Sequence, residues 1–297
     1  MSHIFDALQR SEAEQSRTSP PVFTAATDLL RIAEGHTARP DDHSRPRIPS
    51  QLQETLISPL PSNILVSVTQ RQSLAAEKFR FLAVRLRQLQ QAKTLKKVLI
   101  TSSIPEEGKS MVAGNLACTM ARKLHQRTLL LEGDLRRPTQ CRQFGMGNVS
   151  GLSEWLRGDG ISRIPIYNLE SLGLWVLPAG NVHENALELL QSARLAQLMD
   201  QLSDRFDWIV IDTPPILPLA DTSIWVRAAD GVLLVTRPGT TEKQQLLRGL
   251  EAIEKPKLLG ILVNSSTSAA HTSYHRYYHV LPGAQKQDKD SGADSSK

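Results

Sequence analysis

Apolar residues in this chain cluster in short unbroken runs rather than alternating with polar ones. Such runs fall at 98–101, 128–132, 174–177, 208–212, 232–236 and 258–263. Unbroken runs of this length suit strands buried on both faces of a parallel sheet. Between them the apolar positions step by three and four. Ala75, Phe79, Leu82, Leu86 and Leu89 form one stripe within 73–91, and Val112, Leu116, Met120 and Leu124 form another within 111–124. That spacing is helical. Further helices are expected over 186–203 and 241–253. The alternation predicts an α/β fold, a mostly parallel sheet flanked by helices on both faces, spanning 62–264.

The flanks read differently. Seven of the 17 prolines precede residue 62, which opposes a packed core there. Residues 1–61 are expected to be a linker-like extension with one or two short helices, near 2–15 and 27–34. The first is either a docking segment or a frayed terminus. Residues 265–297 turn to Ser, Ala, Gly, Lys and Asp, as in a disordered tail. Yet Tyr274, Tyr277 and Tyr278 lie there, three of the four tyrosines in the chain.

Charge and cysteine content narrow the classes. The net charge of +5 over 297 residues is too small to mark a nucleic-acid reader. Cys118 and Cys141 lack metal-site spacing and read as free thiols in a reducing compartment. No leader pattern opens the chain, and no apolar run approaches the ~20 residues of a membrane span. A cytoplasmic location is expected, peripheral to the inner membrane only through a partner.

The chemistry is concentrated at strand ends. The run at 98–101 leads into Ser102-Ser-Ile-Pro-Glu-Glu-Gly-Lys-Ser110 and then a helix. Strand, loop with Gly-Lys-Ser, and helix make a P-loop nucleotidase arrangement. Lys109 is expected to reach the β- and γ-phosphates of ATP, and Ser110 to ligate Mg²⁺. Two further strands end in carboxylates: Glu132 and Asp134 in one case, Asp212 in the other. Ligands of open α/β sheets bind beyond the carboxyl ends of the strands, so these acids should share the site of Lys109. Ser110, Asp134 and Asp212 are the candidate metal ligands. Ser103 stands where the usual P-loop pattern has Gly.

These motifs resemble the bacterial tyrosine kinase family of capsule and exopolysaccharide biosynthesis. The first motif of that family reads Ser-x-x-Pro-x-Glu-Gly-Lys-Ser, its second Asp-x-Asp-Leu-Arg-Arg-Pro, and its third ends Ile-Asp-Thr-Pro-Pro. They are matched at 102–110, at 132–138 with Glu132 for the first Asp, and at 211–215. The resemblance implies a protein-tyrosine autokinase that uses ATP and Mg²⁺ to control polysaccharide chain assembly and export. It implies catalytic roles for Lys109, Glu132, Asp134 and Asp212, with Glu132 orienting or deprotonating the acceptor hydroxyl. Ser103, Pro105, Glu107, Gly108, Lys109, Ser110, Met111 and Asn264 would hold the nucleotide. Tyr274, Tyr277 and Tyr278 would accept phosphate. A membrane chain-length or co-polymerase protein would be the activator. A Glu-x-x-Arg-x-x-Arg helix of the family mediates contacts between subunits. Glu77 and Arg80 match it, but its third position is Ala83. Homo-oligomerisation through this helix and an ordinary solvated face are both open.

Two other readings carry weight. A partition-type ATPase switch of the Min/Par kind shares this fold. Its extra early P-loop lysine is replaced here by Ile104, and it does not account for the clustered tyrosines. A non-catalytic nucleotide-binding regulator would tolerate Glu132 and Ala83.

Overall fold

The structure is a computed structural model that describes residues 52–264 except 125, 159–162 and 182–184. The expected N-terminal helices and the three clustered tyrosines lie outside the described residues.

Along the chain the elements are β1 (Leu52–Leu56), α1 (Val66–Thr69), α2 (Leu74–Ala92), β2 (Lys97–Ser102), α3 (Lys109–Lys123), β3 (Thr128–Glu132), α4 (Gln140–Phe144) and α5 (Leu152–Arg157). There follow β4 (Ile164–Leu169), β5 (Leu174–Leu177), α6 (Ala186–Leu190), α7 (Ala193–Arg205), β6 (Trp208–Asp212), α8 (Asp221–Ala228), β7 (Gly231–Thr236), α9 (Lys243–Glu251) and β8 (Leu258–Val263). Among the described residues eight strands form one sheet in the order β1-β4-β5-β3-β6-β2-β7-β8. Every neighbouring pair is parallel except β4 with β5.

Successive side chains of a strand point to opposite faces. Leu99, Leu131, Ile209, Ile211 and Leu234 therefore enter one core, with Leu198 and Leu202 of α7 and Trp225 of α8. Val98, Ile100, Leu130, Val210 and Val235 enter the other, with Leu86 of α2 and Leu116 and Met120 of α3. Both faces are thus covered by helices, as the unbroken apolar runs predicted.

Three departures have physical causes. Residues 52–56, assigned from sequence to the extension, pair in parallel with β4 from Leu52↔Ile164 to Leu56↔Asn168. β1 is an edge strand with Leu52 buried and the next four residues exposed, so it carries no apolar run. Its neighbour β4 contains Pro165, and proline in a run normally argues against a strand. The helix expected over 186–203 is two helices. Ser192 is extended (ψ 147°) and its hydroxyl donates to the Leu189 carbonyl at 2.8 Å, drawing off an acceptor that a continuing helix would need. In α2 the Ser73 hydroxyl caps the helix by accepting the Ala76 N–H at 3.1 Å. Its buried side is Ala76, Ala83 and Leu86, with Phe79, Leu82 and Leu89 partly buried. Ala75 is exposed.

Candidate functional site

Strand order brings the three motifs together. β6 lies between β2 and β3, and its terminal Asp212 is in register with Ile100 on one side and Glu132 on the other. β2 feeds the loop at 103–108 that opens α3. The carboxylates of β3 and β6 therefore converge beside the start of that helix. There the free N–H groups and the positive dipole end favour an anion.

Gly108 closes the loop at φ 91°, a left-handed conformation suited to glycine. It is also crowded: a Cβ there would stand 2.2 Å from Asn264 Nδ2. The Asn264 amide donates to the Glu107 carbonyl at 2.9 Å, and its backbone N–H donates to the Thr236 carbonyl. Asn264 thus lies against the phosphate loop from behind β7. Pro105 and Glu106 form the exposed loop apex, with Glu106 at φ 67°. Met111 lies half-buried one turn into α3.

Glu107 and Ser103, both expected among the nucleotide contacts, are turned inward. Glu107 is fully buried. One carboxylate oxygen accepts the Ile104 N–H at 2.8 Å, and the other accepts the Arg237 N–H at 3.3 Å and the Thr241 hydroxyl. Its side chain braces the loop against the β7–α9 turn, leaving its backbone as the part that can face a ligand. The Ser103 hydroxyl is buried against Gly249 of α9 and has no hydrogen-bond partner.

Lys109 Nζ lies 3.1 Å from Asp134 Oδ2, 3.8 Å from Asp212 Oδ1 and 3.1 Å from Ser110 Oγ. Burial opposes its charge, but the Asp212 and Asp134 carboxylates outweigh that and hold the ammonium above the ordinary lysine range. Asp212 is completely buried, and burial pushes its carboxyl above the usual range against the pull of Lys109 and Gln140. Its Oδ2 accepts the Gln140 amide at 2.8 Å, whereas its Oδ1 accepts no hydrogen bond. Asp134 Oδ1 accepts the backbone N–H groups of Arg136 and Arg137 at 3.3 and 2.9 Å, leaving Oδ2 to Lys109.

Glu132 behaves differently from its neighbours. Its Oε1 accepts the Thr139 and Gln140 backbone N–H groups, and Oε2 accepts the Ala179 N–H at 3.1 Å. Burial pushes its carboxyl up to about 7, against the pull of those N–H groups. The longer side chain is thus engaged in fastening the 133–140 loop and the segment after β5. Gly133 between the acids is required by packing. A Cβ there would stand 2.7 Å from the Trp225 ring, whose indole N–H donates to the Gly133 carbonyl at 3.1 Å. Arg136 fixes the far side of the loop through two hydrogen bonds to buried Asp221, at 2.7 and 3.2 Å.

The donor set suits a hard cation. Ser110 Oγ, Asp134 Oδ2 and Asp212 Oδ1 are all oxygen, and a buried carboxylate oxygen without a hydrogen bond is the kind of group a metal ion or its water would satisfy. Among the described residues no group of three His, Cys, Asp or Glu side chains is gathered as a protein-only metal cage. Mg²⁺ rarely uses one, because it binds through one or two carboxylates plus phosphate and water.

The helix carrying Glu77 and Arg80 stands apart from these groups. Arg80 Nε donates to Glu77 at 2.6 Å within the same helix face, and its other end donates to the Arg71 carbonyl at 2.9 Å. Ala83, the third motif position, is buried against the core. Gln140, Gly249 and Thr241 were not anticipated. A neutral amide in a short helix and a glycine in a distant one carry no local signal of their role.

No protein-family model matches the chain. Individual relatives do. The chain is 34% identical over 215 residues to tyrosine-protein kinase YwqD of Bacillus subtilis, covering 72% of this chain and 90% of that protein. It is 32% identical over 205 residues to tyrosine-protein kinase CpsD of Streptococcus agalactiae, covering 68% and 88%. The kinase domain of the Escherichia coli tyrosine kinase ETK superposes with a TM-score of 0.62 at 28% identity, over 70% of this chain and 82% of that one. The fold extends to the septum site-determining protein MinD of Pyrococcus horikoshii, at TM-score 0.50 and 21% identity over 59% and 72%. With near-complete coverage of curated relatives above 30% identity, and the three motifs converging on one site, the chain belongs to the bacterial tyrosine kinase family.

Proposed function

We propose that this protein is an ATP-dependent tyrosine autokinase that regulates assembly and export of an exopolysaccharide or capsule. The observation that carries the catalytic part is the position of Lys109, held between Asp134 and Asp212 at the start of α3. A single cation there offsets part of the charge of two carboxylates that would otherwise repel a triphosphate.

The loop backbone from 106 to 110, at the start of α3, supplies N–H groups for the phosphates. With nucleotide bound, Lys109 would turn from the carboxylates of Asp134 and Asp212 to the phosphates. Bound Mg²⁺ would supply neutralisation of the phosphate charge. Ser110, Asp134 and Asp212 would hold it. Asp134, with one oxygen fixed by backbone N–H groups, would present the other to the metal once Lys109 turns to the phosphates. Glu132, occupied by three backbone N–H groups, is assigned to holding the loop.

Tyr274, Tyr277 and Tyr278 are the proposed acceptors. A membrane-embedded polysaccharide co-polymerase is the proposed activator, and through it the kinase would work at the inner membrane. No helix among the described residues is long and apolar enough to cross a membrane. The homologous kinases favour this reading over a partition-type switch. Incubation with labelled ATP followed by phosphoamino-acid analysis tests it. Phosphotyrosine that vanishes in Lys109→Met supports it. Nucleotide hydrolysis without phosphotyrosine, with the activator present, would overturn it.

A further inference from the structure

Gln140 joins all three motifs, although it belongs to none of them. Its side-chain amide donates to Asp212 Oδ2 at 2.8 Å and to the Ser110 carbonyl at 3.0 Å. Its backbone N–H donates to Glu132 Oε1 at 2.7 Å. It therefore connects the end of β6, the first turn of α3 and the end of β3.

The amide orientation follows from its partners. Both groups facing Nε2 are acceptors, so the flipped amide would set oxygen against oxygen twice. Its Oε1 then has no hydrogen-bond partner, and the residue is fully buried. α3 makes room for that oxygen at Gly114, where a Cβ would stand 3.3 Å from Gln140 Oε1. A buried amide left half satisfied is costly. An apolar side chain of the same length would spare that cost but leave Asp212 Oδ2 without its donor.

That expense has a local effect. By occupying Oδ2, the Gln140 amide fixes the rotation of the Asp212 carboxylate and leaves Oδ1 facing Lys109, with no hydrogen bond of its own. The same amide holds the Ser110 backbone, and with it the hydroxyl beside Lys109, at a set distance from Asp212.

We infer that Gln140 is a positioning residue for the metal site, presenting Asp212 Oδ1 and Ser110 together to Mg²⁺. This rests on the reading of Asp212 and Ser110 as ligands of Mg²⁺ with ATP. Partners that orient a metal ligand typically change metal affinity ten- to a hundredfold when removed.

The test compares ATP affinity by calorimetry in chelator and in Mg²⁺, together with thermal midpoints, for the full chain. Gln140→Met keeps the length and removes both the donor and the orphaned oxygen. The expected result is a cooperative fold, a metal-free affinity within about twofold, and a Mg²⁺-linked gain reduced about tenfold. Gln140→Glu turns an oxygen toward Asp212 and should lose the gain as well; it decides the matter if Gln140→Met does not fold. An undiminished gain in a folded variant overturns the inference. So does a parallel fall of midpoint and both affinities, which would make Gln140 a packing residue. Wild type without any Mg²⁺-linked gain overturns the metal-site reading itself.

Discussion

Gly249 of α9 leaves the space that the Ser103 hydroxyl fills: a Cβ at 249 would stand 2.5 Å from Ser103 Oγ. The phosphate loop is thus packed from behind by a helix that carries none of the motifs. Gly249→Ala should press on the loop and lower ATP affinity about tenfold, with a stability loss of about 1–3 kcal/mol from overpacking. Ser103→Gly in the same chain removes both the hydroxyl and its carbon and should restore affinity. Calorimetric titration of the single and double variants measures this; a double variant as weak as Gly249→Ala would count against the packing relationship.

Asp212→Asn should separate metal from nucleotide binding. It removes the charge while an amide oxygen can still accept the Gln140 hydrogen bond. ATP affinity in Mg²⁺ should fall at least about tenfold, while metal-free affinity should hold or rise because one negative charge near the phosphates is gone. Equal losses with and without metal would make Asp212 a structural group only.

Glu132 should give stability a measurable pH dependence. Its folded value is about 7 against an ordinary 4.5, so the folded state prefers the protonated form. Its contribution is therefore complete below about pH 4.5 and is lost as pH rises through about 7. The shift corresponds to about 3 kcal/mol over that window. Glu132→Gln cannot titrate. In urea unfolding with chelator present, the stability of wild type relative to Glu132→Gln should decline from about pH 4.5 to about pH 7. Parallel pH profiles would show that Glu132 does not titrate in this range.

Phosphate transferred by wild type should appear on Tyr274, Tyr277 and Tyr278. Tyr167 should remain unmodified, because it is buried and its hydroxyl donates to the Ser150 carbonyl at 3.1 Å. Peptide mass spectrometry after incubation with ATP reads this directly. Modification confined to Tyr167, or to Ser and Thr, would defeat the acceptor assignment.

Most of the sheet was legible because its strands, including half-exposed β8 at one edge, are unbroken apolar runs. β3, β5, β6 and β8 fall at the residues that the pattern predicted, and β2 and β7 extend beyond it by a residue or two. The β1–β4 edge was not, since an edge strand needs little apolar surface and Pro165 interrupts the signal. Within the site, Lys109, Asp134 and Asp212 were readable from their places at strand and helix ends. The inward turns of Ser103 and Glu107 were not. They depend on Gly249, Arg237 and Thr241, more than 100 residues away in the chain, and no local spacing reports such partners. Glu132 was readable as a carboxylate at a strand end. Its occupation by the N–H groups of Thr139, Gln140 and Ala179 emerges only once the loops are folded around it.

Asn264 directly follows β8, with its amide on the rim of the phosphate loop. The chain beyond it therefore begins its path at the site's own edge. Ten chain steps lead from Asn264 to Tyr274, and they span at most about 33–36 Å whatever course they take. An acceptor tethered within that radius is present at an effective concentration on the order of millimolar. With Tyr274 as the proposed acceptor, a substrate supplied at that level by its own attachment point needs no dedicated docking groove.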